Sequence, residues 1–141
     1  MKETFKKLSP NLMVEDVNGA VDFYCDVLGF AFVLGAPEAG GDVVRIRDSG
    51  VPLDWALVRR GGVDIMFQTR RSLVQENFDF AHEQVGGSLT LFIEVEDVDA
   101  LYGLIKGRVD IVRDMETTFY GMKEFIIRDN SGYILTFAQR G

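Results

Sequence analysis

The sequence predicts an α+β fold made of two βαβββ modules that form a mixed sheet around a cavity, and three observations predict it. The tetrapeptide Val-Glu-Asp-Val occurs at 14–17 and again at 95–98. Each copy follows an alternating strand pattern and precedes apolar residues at helical spacing. Each half then continues through a strand into a hairpin. Self-similarity over half a chain is the mark of an internal duplication.

The elements follow in order. Ser9 to Met13 and Thr90 to Glu94 read as the first strand of each half. In the first half Val17, Val21, Tyr24 and Leu28 recur as one helical face, and Gly29 stands where a helix ends. In the second half Val98, Leu101, Leu104 and Ile105 do the same, with Gly107 as the stop. The aspartate of each tetrapeptide is placed to accept from the first turn of the helix as an N-cap. Phe30 to Leu34 and Val109 to Arg113 are the next strands. The hairpins run from Trp55–Arg59 through Gly61-Gly62 into Val63–Gln68, and from Glu124–Arg128 through Asp129-Asn130-Ser131-Gly132 into Tyr133–Ala138. The whole chain, 1–141, is then one domain, with module 1 over about 8–69, a linker over about 70–87 and module 2 over about 88–141. The polar linker ends in Gly86-Gly87 and is expected to hold a short helix around Val74 to Phe80. A linker of this length lets the modules pair within a chain or exchange between two chains, and both arrangements stay open.

Composition narrows the function classes. No apolar run reaches the ~18 residues of a membrane span, and the charged start Met1-Lys2-Glu3-Thr4-Phe5-Lys6-Lys7 leads into no apolar leader, so a cytoplasmic protein without a membrane partner is expected. The formal charge of −7 opposes nucleic acid and favours a cationic small molecule. Cys25 lies on a helical segment among apolar neighbours and is read as a packing residue. His82 stands alone in the linker and is read as a surface residue.

Strand alternation sorts the residues into two faces. Leu12, Val14, Ile65, Phe67, Leu91, Ile93, Leu135 and Phe137 form an apolar face for the helices. Asn11, Met13, Asp64, Met66, Gln68, Thr90, Phe92, Glu94 and Thr136 fall on a mixed face. Two joined modules are expected to bring their mixed faces together into a pocket, since a concave apolar wall with a few polar groups is the usual form of a ligand site. Solvent on an idle face is the alternative.

Two stretches carry a resemblance: Asp16-Val17 through Phe23-Tyr24 to Val27-Leu28-Gly29-Phe30, and Tyr120-Gly121-Met122-Lys123-Glu124-Phe125 through Arg128-Asp129 to Gly132-Tyr133. With them the chain resembles the vicinal oxygen chelate superfamily, which contains glyoxalase I, extradiol dioxygenases, fosfomycin-modifying enzymes and the bleomycin resistance proteins. The resemblance runs from about Leu8 to Ala138. It implies a glyoxalase/bleomycin-resistance fold and a homodimer. It also implies that enzymes of the superfamily hold a divalent metal at positions equivalent to Ser9, Met66, Thr90 and Thr136 of this sequence. A thioether and three neutral hydroxyls are not the imidazole, carboxylate or thiolate set that such an ion takes, so no metal, no cofactor and no catalytic residue are expected, and enzyme status stays open. The favoured function is a metal-free protein that sequesters a drug-like, cationic or aromatic small molecule, as the bleomycin resistance branch does. Its ligand-binding residues would be Trp55 and Tyr120 as aromatic walls, Asp64, Glu94 and Glu124 as anionic contacts, and Met66, Gln68, Thr90 and Thr136 on the same face. Trp55 has a core role as its alternative, and Glu124 a structural pairing with Lys123 or Arg128. Arg59 and Arg60, beside the hairpin turn, read as solvated charges. Two other functions stand beside this one: a glyoxalase-like lyase or isomerase, or a dioxygenase-type metalloenzyme, with a non-standard site; and a scaffold module whose cavity is filled.

Overall fold

The computed structural model describes residues 2–141. In the first module, β1 (Asn11–Val14) leads into α1 (Val17–Asp22), followed by β2 (Ala31–Pro37), β3 (Leu53–Arg60) and β4 (Val63–Thr69). The connection holds α2 (Arg70–Glu76) and a 3-10 turn over Phe78–His82. In the second module, β5 (Thr90–Glu94) leads into α3 (Val98–Ile105), then β6 (Asp110–Thr117), β7 (Met122–Arg128) and β8 (Ile134–Arg140). The strands form two four-stranded mixed sheets of one topology, ordered β1-β4-β3-β2 and β5-β8-β7-β6. In each, the first strand runs parallel to the last and the remaining pairs are antiparallel.

The caps form as the tetrapeptides imply: Asp16 accepts from the Gly19 amide at 3.0 Å and Asp97 from that of Ala100 at 3.0 Å. Val17, Val21, Tyr24 and Leu28 are all buried, but α1 does not reach Leu28 as a regular helix. Its last turn, Phe23–Val27, widens to π spacing, and the Leu28 amide donates to the Phe23 carbonyl at 3.3 Å. Gly29 then turns the chain at φ +74°, where a side chain would also meet the Arg60 guanidinium at 3.1 Å. Gly107 plays no such part, since α3 ends at Ile105 with ordinary backbone angles after it. Val98, Leu101 and Ile105 are buried on α3, whereas Leu104 is 73% exposed. The linker helix starts earlier than the 74–80 expectation because Thr69, at the end of β4, caps it by accepting from the Ser72 amide. Strand pairing begins at Asn11 rather than Ser9, although the Pro10 carbonyl already accepts from the Met66 amide.

Burial follows the sorting of faces only in part: Leu91 and Ile93 are half-buried, and Met13, Asp64, Gln68 and Thr136 of the mixed face are buried as well. Leu12, Val14, Ala56, Val58, Ile65 and Phe67 of the first sheet and Phe125, Ile127, Leu135 and Phe137 of the second are buried, and they belong to one apolar cluster with α1 and α3. The modules therefore share a core on their helix-covered sides. At the seam the Tyr24 hydroxyl donates to Asp129 Oδ2 at 2.6 Å, the Tyr133 hydroxyl donates to the Met13 carbonyl at 2.7 Å, and Asn130 Nδ2 donates to the Gly19 carbonyl at 3.0 Å. This corrects the expectation that the modules of one chain bring their mixed faces together. No strand of one sheet pairs with a strand of the other, and among the described residues no hydrogen bond joins the two mixed faces. The shared core satisfies the apolar sides first because they carry the larger burial term.

The buried Tyr24 to Asp129 contact ties a neutral donor to a charged acceptor. Tyr24→Phe is expected to lower unfolding stability by about 1.5–3 kcal/mol, read from the urea midpoint at unchanged slope.

Candidate functional site

Register assembles the mixed face of the first sheet. The β3–β4 pairing sets Arg59 opposite Asp64, Leu57 opposite Met66 and Trp55 opposite Gln68, and the parallel β1–β4 pairing sets Asn11 beside Met66. Trp55, Leu57 and Met66 are half-buried there. The polar members are already engaged. Asp64 Oδ1 accepts from Arg59 Nε at 2.6 Å, and Oδ2 accepts from Arg59 Nη2 at 2.8 Å and from Lys7 Nζ. Those two cations, Arg59 foremost, hold the Asp64 carboxyl well below the usual carboxylate range. Gln68 accepts from Asn11 Nδ2 at 2.8 Å and donates to Ser72 Oγ at 2.9 Å and Glu76 Oε1 at 3.0 Å, which fastens α2 over the end of this face.

The second sheet repeats the design with other groups. Thr136 is paired with Ile126 on one side and Phe92 on the other. Phe92 is 52% exposed. Glu124 is buried on this face, where it accepts from Arg113 Nη2 at 2.7 Å and, through both oxygens, from the Tyr120 hydroxyl at 2.9 Å. That bond to the carboxylate raises the phenol pKa of Tyr120 above its ordinary value. Arg113 Nε is buried without a hydrogen-bond partner. Thr90 and Glu94 stand exposed along β5, and among the described residues Glu94 has Arg140 as its one cationic partner, at 3.6 Å.

The sequence-derived residues thus fall into two groups, one per sheet. Trp55, Asp64, Met66 and Gln68 share the first mixed face, while Thr90, Glu94, Tyr120, Glu124 and Thr136 share the second or its edge. Leu57, Phe92 and Ile126 lie among them and are legible from strand alternation once the register is known. The charge partners differ from those the sequence offered. Glu124 binds Arg113 across the strand, because Lys123 points to the helix side, where it meets Asp99, and Arg128 pairs with Asp110. Arg59 is bound to Asp64, and Arg60 Nη1 donates to the Leu28 carbonyl at 2.6 Å, so neither is a free surface charge. His82 is exposed, and Cys25 is half-buried, with burial raising its thiol pKa.

On the opposite, helix-covered side an open groove of about 550 Å³ separates the β3–β4 hairpin from β5 and α3. Leu28, Phe30, Val63, Ile93, Leu101 and Phe137 form its walls.

The model of the Glyoxalase/Bleomycin resistance protein/Dioxygenase superfamily matches residues 8–137. The chain belongs to this superfamily. Among solved structures it is similar to the bleomycin-binding protein from bleomycin-producing Streptomyces verticillus, determined in complex with copper(II)-bleomycin, at 25% identity over 99% of both chains and TM-score 0.64. TioX from Micromonospora sp. ML1 matches at 21% identity over 97% of this chain and 100% of the other, TM-score 0.69. A superfamily member from Sphaerobacter thermophilus matches at 18% identity over 97% and 98%, TM-score 0.71. The last two establish the shared fold. No curated protein matches the chain in sequence.

A divalent metal at the superfamily's four positions can be tested against the side chains here. Met66 sits beside Asn11 in the first sheet, with Ser9 just upstream of β1, and Thr90 and Thr136 stand on adjacent strands of the second. Among the described residues no group of three or more His, Cys, Asp or Glu comes together. One thioether and three neutral hydroxyls supply neither the charge nor the donor strength for such an ion, and the nearest carboxylates, Asp64 and Glu124, are bound to cations. The donor set does not fit the metal.

The Asp64 cluster gives a pH prediction. Pairing lowers its folded-state pKa below the unfolded value of ~3.9, so its stabilisation is complete above that value and is lost as pH falls through the folded one. Asp64→Asn should be less stable than the parent at pH 7, and the gap between the two urea midpoints should narrow steadily as the pH is taken below about 4.

Proposed function

We propose that this superfamily member is a metal-free binding protein that sequesters a planar aromatic small molecule on its mixed faces. A second copy would close each face into a cavity. One observation carries the reading: both mixed faces keep apolar and aromatic side chains within reach of solvent, while the buried polar groups Asp64, Gln68 and Glu124 among them are hydrogen-bonded or ion-paired inside the protein. Water gains little from such a surface and an apolar ligand gains much. Trp55, Leu57 and Met66 supply one wall and Phe92, Ile126 and Tyr120 the other.

The polarity of the ligand follows from what is left exposed. Asp64 and Glu124 are neutralised by Arg59, Lys7 and Arg113, so they orient neighbouring groups more than they attract a cation. Glu94 is the exposed carboxylate that still meets a positive group at the edge of the second face, with Thr90 and Thr136 offering hydroxyls along it. Stacking area is then the main source of affinity and charge a secondary one. The homodimer and a cytoplasmic location belong to the same proposal. Protection by binding alone needs only a tight complex in molar excess. The alternative, a glyoxalase-like lyase or isomerase or a dioxygenase-type enzyme, would need metal donors that Ser9, Met66, Thr90 and Thr136 do not supply.

Copper(II)-bleomycin is the first probe, because the Streptomyces neighbour was determined with it. Calorimetric titration of the full chain should show saturable binding, weakened about tenfold, or ~1.4 kcal/mol, by Phe92→Ala at unchanged melting temperature. Absence of binding, with no thermal shift across a panel of planar cationic drugs, would overturn the reading. Dialysis against Zn²⁺, Ni²⁺, Mn²⁺ and Fe²⁺ should leave far less than one equivalent of any metal per chain.

A further inference from the structure

The groove on the helix-covered side has walls of opposite charge over an apolar floor. Phe30, Leu101 and Phe137 form the floor, and Leu104, 73% exposed, adds apolar surface along α3. The β3–β4 hairpin carries Arg60 on one wall. Glu96 and Asp97 stand on the other, where β5 runs into α3. These charges share a trough without meeting. Arg60 donates Nη1 to the Leu28 carbonyl at 2.6 Å and has no carboxylate partner among the described residues. Among the same residues Glu96 has no ion pair and no side-chain hydrogen bond, and Asp97 accepts only from the Ala100 amide, through Oδ1. The two walls therefore stand further apart than a salt bridge can span. Glu94, which ends β5 at the rim, is kept by Arg140 at 3.6 Å and takes no part.

The volume of about 550 Å³ lies within the ~300–1,000 Å³ of small-molecule sites. An apolar floor rewards an apolar body. Separated charges of opposite sign reward a ligand that carries both, because a molecule with one charge leaves the other wall unanswered. We propose that the groove binds a short apolar peptide with free termini, its carboxylate on Arg60, its ammonium on Glu96 and Asp97, and its side chains on Phe30, Leu101 and Leu104. Only Nη1 of Arg60 is engaged, which leaves Nε and Nη2 for two parallel bonds to a carboxylate. At the mouth the hairpin turns through Gly61-Gly62, and a methyl group on Gly62 would meet nothing of the protein, so the trough stays open there. This site uses no residue of the mixed faces and goes beyond the binding proposed for them.

Titration of the isotope-labelled full chain with leucyl-alanyl-leucine, followed by amide NMR, should move the signals of Gly61, Gly62, Glu96 and Ala100 saturably and leave those of Trp55, Met66 and Phe92 in place. N-acetylation of the peptide should weaken binding about fivefold, the worth of one exposed ion pair. Glu96→Gln/Asp97→Asn should abolish that difference while keeping the fold, since Glu96 is exposed and asparagine caps a helix as aspartate does. Amidation of the peptide's carboxyl end should cost a similar factor, abolished by Arg60→Gln. Ala100→Trp, at an exposed position of α3, should block the trough at unchanged melting temperature. Groove signals that stay in place, or shifts confined to the mixed faces, would overturn the inference and leave ligand binding on those faces standing. Equal binding of the free and acetylated peptides, or octylamine bound as tightly as the peptide, would overturn it as well.

Discussion

The Tyr24 hydroxyl and the Asp129 carboxylate meet at 2.6 Å between the two modules, and the rest of the architecture is arranged around that contact. Asp129 Oδ1 accepts from the Ser131 and Tyr133 amides, both at 2.9 Å, so the same side chain shapes the β7–β8 turn and grips the first module. Burial and the adjacent carboxylate push the Tyr24 pKa well up, which keeps the phenol a donor throughout the accessible pH range. The turn then presents Tyr133 to the Met13 carbonyl, and Gly86 packs so closely that a methyl group there would lie 2.6 Å from the Ser131 carbonyl. One carboxylate thereby fixes a turn, a seam and the path of the linker.

Since the seam joins the helix-covered sides, the mixed faces are what the chain leaves unpartnered. The two faces handle their buried charge in parallel ways, Asp64 between Arg59 and Lys7, and Glu124 between Arg113 and the Tyr120 hydroxyl. Such clusters stiffen a strand surface without adding much net stability, because desolvation offsets most of the attraction. They neutralise the buried carboxylates of the faces and leave Trp55, Met66, Phe92 and Ile126 as half-buried or exposed apolar groups among them.

The repeated tetrapeptide and its flanks made the two-module fold legible, because capping and alternation are local rules that this chain obeys at both copies. The sorting of residues onto two faces was legible for the same reason. Three features were not. The joining of helix-covered sides depends on Tyr24 reaching Asp129, far along the chain, and no periodicity reports such a pair. The partner of Glu124 was hidden because Arg113 lies on β6, whose pairing with β7 slips on both sides of that residue. Leu104 continued a helical stripe in the sequence, yet α3 meets its sheet over a narrower arc than four apolar positions require, and the surplus residue faces the groove.

The seam is also lopsided. Tyr24 of the first helix has Ile105 as its counterpart in the second, and the first hairpin turns through Gly61-Gly62 where the other has Asp129-Asn130. Two copies of the first module pressed together would bury the Tyr24 phenols without Asp129 to receive them, and two copies of the second would leave Asp129 without Tyr24. The two halves of the duplication have in this way become unlike at their seam, where joining first to second satisfies a hydrogen bond that joining like to like would leave unmet.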